Sequence, residues 1–180
     1  MILQAMILAF ATVLGAAMIE VRAEGRGERC SGRASGPWLA AGDGHTITVE
    51  VDGDRCAMAS IHFHVQRPDG RVIFERIASG QTMGFASLES AKLDEALLFM
   101  VERMGDHKSN PLPDWPPRYP DLKNTGSATW YETDLRRDEW MALRESKAPM
   151  LVIALGPETN HYFILDKSGE VIEFATGKPR

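Results

Sequence analysis

The chain has 180 residues, a formal net charge of −5 and a hydrophobic fraction of 44%. That length and composition suit a folded domain with its own core, and they exclude a disordered polar chain. Acids exceed bases, and the two are interspersed rather than blocked, so the basic footprint of a nucleic-acid or polyanion binder is missing.

From residue 2 to residue 19 nearly every side chain is apolar or small, with Gln4 and Thr12 as interruptions. Val21, Arg22 and Ala23 follow as a small-x-Ala site, and residues 24–29 are hydrophilic. An apolar run, a small-x-Ala site and a polar continuation form the export pattern, so residues 1–23 read as a signal peptide and the protein as extracytoplasmic, periplasmic or secreted. Gly15, Ala16 and Ala17 offer a second cut. No Lys or Arg precedes the run, which is also long enough to span a bilayer, so a retained membrane anchor stands as the alternative. A lipoprotein is disfavoured, because Gly27, Glu28 and Arg29 before Cys30 are no apolar lipobox. Cys30 and Cys56 are the only cysteines, and in an oxidising compartment such a pair reads as one disulfide.

Residues 24–44, rich in Gly, Ser and Arg, are expected to form an irregular arm held to the domain by Cys30 and Trp38. Residues 45–180 are expected to form a single globular domain. Strict alternation over residues 45–51 puts Ile47, Val49 and Val51 on one face of a strand. Asp52 and Gly53 have the composition of a two-residue hairpin turn. A second strand over about 57–67 alternates Ile61, Phe63 and Val65 with Ser60, His62, His64 and Gln66. Pro68, Asp69 and Gly70 suit a type I turn with a glycine bulge, and residues 72–77 return as a third strand.

Leu93, Ala96, Leu97, Met100 and Met104 recur at helical spacing, predicting a helix over 87–104 that Gly105 ends. The proline-rich stretch 110–120 is loop, since proline removes donors and fixes φ. A short strand at 129–132 precedes a second helix over 135–144, with Thr133 or Asp134 as cap and Trp140 and Leu143 inward. Residues 150–155 are a continuous apolar run, as in a strand covered on both faces. Residues 162–165 and 171–174 flank a closing hairpin turn. The expected class is α+β: a mainly antiparallel sheet, made of a three-stranded meander and a C-terminal hairpin, with two helices packed on it.

Gly-x-Ser-x-Gly, phosphate-loop, dinucleotide and His-Glu-x-x-His patterns are absent, so no catalytic residue and no cofactor is nominated. Two features carry possible function. His62 and His64 are two apart on one strand face, a spacing at which two imidazoles chelate one divalent metal if a third ligand joins them. His45, Asp54, Glu75, His107 and His161 are eligible third ligands. Register decides between them. A three-residue loop pairing Arg67 with Arg71 sets Phe74 opposite His64 and Arg76 opposite His62, and the arginine repels a cation. A two-residue loop sets Glu75 opposite His64 instead. The proline position favours the first register, in which the histidines are a half-exposed polar face.

The second feature is the proline loop with Trp115 and Tyr119. Its aromatics either present a preorganised surface to a partner, such as another exported or envelope protein, or pack across the domain; packing is preferred. The residues therefore nominate a non-enzymatic exported binding or interaction domain first. A metal-binding protein or metal-dependent enzyme using His62 and His64 is the second reading. The third is a membrane-anchored version of the first.

Overall fold

The computed structural model describes residues 20–23, 29–42, 44–105, 112, 115, 129–156 and 159–179. The class is α+β, as the element order predicts. The strands divide between two antiparallel sheets. The first runs in sequence order through β1 (Glu20–Ala23), β2 (Gly32–Pro37), β3 (Thr46–Asp52), β4 (Ser60–Gln66) and β5 (Val72–Ser79). The second has the order β6-β9-β8-β7, from β6 (Thr129–Glu132), β7 (Met150–Ala154), β8 (Asn160–Leu165) and β9 (Val171–Pro179). The predicted meander is β3 to β5, and the predicted closing hairpin is β8 and β9.

Each sheet has its own helix, rather than both helices sharing one sheet. Helix α1 (Leu93–Gly105) buries Leu93, Leu97, Val101 and Met104 against Ile47, Val49, Ile61 and Phe63 of the first sheet. Leu151, Ile153 and Phe163 of the second sheet join that core. Helix α2 (Arg137–Ser146) covers the other face of the second sheet, with Trp140 among Tyr131, Tyr162, Ile164 and Phe174. The run at β7 is thus apolar throughout because Leu151 and Ile153 serve one core while Met150 and Val152 serve the other.

Helix α1 begins at Leu93 rather than at 87, after 3-10 turns at Phe85–Ser87 and Ser90–Lys92, and includes Gly105. Three further local expectations are corrected. The stretch from 24 to 44 is not wholly irregular, because Gly32–Pro37 forms β2 between β1 and β3. Its small residues suit a strand lying under a helix: a Cβ on Gly32 would come within 3.1 Å of the Leu97 side chain. The arm is pinned as expected, with Trp38 buried and its indole N–H donating to the Met150 carbonyl at 3.2 Å. Secondly, Asp52 and Gly53 do not make a two-residue turn, since Asp52 pairs with Ser60 and a longer loop intervenes. Cys56 lies in a 3-10 turn of that loop and is disulfide-bonded to Cys30, whose N–H donates to the Gly53 carbonyl at 2.8 Å. The covalent tie and this bond hold the loop to the start of β2. Thirdly, α2 begins later than predicted. Thr133 Oγ1 accepts the Leu135 N–H and donates to the Phe174 carbonyl, while the Arg136 N–H is taken by the Glu139 carboxylate at 2.8 Å. That backbone bond is the first cause holding the Glu139 carboxyl below the usual range.

Among the described residues no helix is long and apolar enough to cross a membrane.

Candidate metal centre

The outward-facing positions of the first sheet line up across strands. One row runs Arg33, Glu50, His62, Ile77 and the next Ser35, Thr48, His64, Glu75. Alternation along β4 sends Ile61, Phe63 and Val65 into the core and leaves His62 and His64 half-buried on the opposite face. The two imidazoles lie parallel, with centroids 6.1 Å apart and planes inclined by 10°.

The register at this site combines the two alternatives that the sequence leaves open. The loop is the three-residue one: the Arg67 N–H donates to the Arg71 carbonyl at 2.9 Å, and Gly70 takes a φ of +84° that its missing Cβ allows. A bulge then intervenes, because Gln66 pairs with Val72 while Val65 pairs with Phe74. Ile73 is the extra residue. It moves every later position of β5 along by one, so His64 faces Glu75 and His62 faces Ile77. Arg76, expected beside His62, pairs with Phe63 on the other face and reaches Glu173 at 3.7 Å. Phe74, expected beside His64, packs on Phe163 at 4.8 Å between centroids. Ile77 thus takes the place expected for the repelling arginine, and Glu75 the place expected for Phe74.

One ligand atom from each of His62, His64 and Glu75 lies within 4.8 Å of the other two. Around a tetrahedral ion with bonds near 2.0–2.1 Å, ligand atoms stand about 3.3 Å apart. Closing the difference takes side-chain rotation, chiefly of exposed Glu75. Glu50 stands opposite His62 on β3 and is held by Arg33 at 2.9 Å. Thr48, opposite His64, is buried and shares a hydrogen bond with Ser35 at 2.9 Å. The neighbours on β3 are therefore themselves fixed.

The other eligible ligands among the described residues lie elsewhere. His161 is on β8, its Nδ1 bonded to the Glu173 carboxylate at 2.6 Å. His45 meets Trp38 edge-on at 6.3 Å, and Asp54 is within 3.8 Å of Arg29. His107 and Tyr119 lie outside the described residues. Trp115, nominated as a partner-binding residue, is half-buried and meets Trp140 at 6.4 Å, an arrangement that favours the packing reading.

Glu75 is the candidate ligand that the expected register turned away from His64. A signal for it was present: Val72, Ile73 and Phe74 are three consecutive apolar residues, which strict alternation does not accommodate. The chain matches no protein-family model, no curated protein and no solved structure in the comparisons made.

Proposed function

We propose that this chain is an extracytoplasmic, non-enzymatic binding domain that holds one divalent transition-metal ion at His62, His64 and Glu75. The observation that carries the reading is the convergence of three ligand atoms within 4.8 Å on one sheet face. Imidazole and carboxylate together suit Zn²⁺, Cu²⁺ and Ni²⁺, with Cu²⁺ bound tightest in the general order of affinities. Three protein ligands leave a fourth position for water or a small solute. A metal takes these groups only when they are deprotonated, so binding weakens in acid.

Ion binding to the folded chain alone raises its stability by about 2.7 kcal/mol at a hundredfold excess over Kd, a rise in melting temperature of about 5–10 °C. Thermal melts with Zn²⁺, Cu²⁺ and Ni²⁺ should show that rise, and the His62→Ala/His64→Ala variant should lose it. Glu75→Gln should weaken binding about tenfold or more. If all three metals leave the melting temperature unmoved, or move the double variant equally, the reading is wrong.

The buried Cys30–Cys56 disulfide supports export. Strand β1 bears on the cut, since cleavage after Ala23 would remove Glu20–Ala23 from the edge of the first sheet, whereas cleavage after Ala17 keeps it. We expect the mature protein to begin at Met18, which intact-mass measurement of the native protein checks. A mature start at Glu24 would sink that expectation, and a mass including residues 1–17 would favour the anchored reading.

A further inference from the structure

The geometry points to a second binding site: the cleft between α1 and β7 takes an amphiphilic carboxylate, its acyl chain among methionines and its headgroup on Arg103. The cleft has a volume of about 310 Å³, at the small end of the range for ligand sites. Phe63 forms its floor, and Met83, Met100 and Met104 line it. Methionine suits such a role because its unbranched, polarisable thioether adapts to an irregular apolar occupant. On the solvent side Phe99 stands 58% exposed, and past it lies a second recess of about 390 Å³ lined in part by Leu39, itself 67% exposed. The two exposed apolar side chains thus border neighbouring recesses, which share Phe99 and Arg103 in their linings, rather than standing alone.

Arg103 lines both recesses. Its guanidinium lies 5.6 Å from the Phe99 ring centroid and, among the described residues, pairs with no carboxylate. On a chain of net charge −5, an unpaired cation at the mouth of an apolar cleft complements one ligand chemistry, an apolar tail with a single negative head. Glu102 lines the second recess and repels that head, so the carboxylate sits on the β7 side of Arg103. The site is independent of the metal centre, because Phe63 points to the opposite face of β4 from His62 and His64.

Titration calorimetry with decanoate on the full chain tests this. One molecule should bind per chain with a Kd on the order of tens of micromolar, as expected for a ligand of that size. Arg103→Gln should weaken decanoate about tenfold while leaving decan-1-ol unchanged. Ala154→Trp, at an exposed position that lines the cleft, should abolish binding of both without lowering the melting temperature. His62→Ala/His64→Ala should bind decanoate normally. No binding of decanoate at millimolar concentration, binding that survives Ala154→Trp, or an Arg103→Gln effect equal for acid and alcohol would each overturn the proposal.

Discussion

Replacing Cys30 and Cys56 together by alanine is expected to lower the unfolding free energy by about 3.5 kcal/mol, the chain-entropy value for a closed loop of this size. The two cysteines are 26 residues apart, so the loop they close contains β2 and β3. Without the bond, the unfolded chain regains the freedom of that segment. In the folded state the tie also joins the start of β2 to the loop after β3, where the Cys30 N–H already meets the Gly53 carbonyl. For a chain of this size the loss corresponds to about 7–14 °C in melting temperature. Amide exchange should quicken most in β1 and β2, which hang on this anchor, and least in the second sheet. Reducing agent should reproduce the shift in the unaltered protein and do nothing to the variant. A variant within 1 kcal/mol of the unaltered protein would show that packing of β2 under α1 suffices by itself.

Trp140→Ala should cost about 3–5 kcal/mol, the range for deleting a fully buried large aromatic. Trp140 is wholly buried and central to the second core. Its ring meets Tyr131 at 5.8 Å, Phe174 at 6.0 Å and Trp115 at 6.4 Å between centroids. Removing it leaves a cavity between α2 and the second sheet that these flat rings fill poorly. Near-ultraviolet circular dichroism should lose the aromatic signature, while the first sheet keeps its exchange protection. Trp140→Phe should recover much of the loss, since it restores most of the apolar contact. A cost below 1 kcal/mol would mean that α2 is not held by this residue. Trp115→Ala is expected to cost less, because Trp115 is only half-buried at the margin of the same cluster. A full loss of partner capture by that variant with no change in melting temperature would restore the docking reading of the proline loop.

Much of the local structure is legible from periodicity. The period-two runs at residues 45–51 and about 57–67 announce strands β3 and β4 and the shared face of His62 and His64, although Cys56–Met58 turns as a 3-10 helix and β4 starts at Ser60. The 3.6-residue stripe through Leu93, Leu97 and Met104 announces α1. Local composition misleads where a long-range neighbour decides. Residues 32–37 look like a flexible linker because most are small, yet they pair with β1 and β3 as a strand, and α1 lies too close above Gly32 for a larger side chain. Asp52 and Gly53 look like a tight turn, yet Asp52 pairs with Ser60 across a longer loop, which carries the disulfide-bonded Cys56.

The candidate metal centre shows the same division. The sequence by itself determined the compartment-dependent cysteine pair, the chelating spacing of the two histidines, and the three-residue loop that closes on Arg67 and Arg71. Only the tertiary structure decided which residue stands opposite His64. Ile73 and Phe74 are both buried, and Phe74 lies against Phe163 of the second sheet. A strand with strict alternation cannot turn two consecutive side chains inward, so β5 bulges at Ile73 and carries Glu75 round to His64. The contact that does this is formed between residues far apart in the chain. For that reason the pattern around β5 by itself points to Arg76 opposite His62 and Phe74 opposite His64, and the folded protein has Ile77 and Glu75 there.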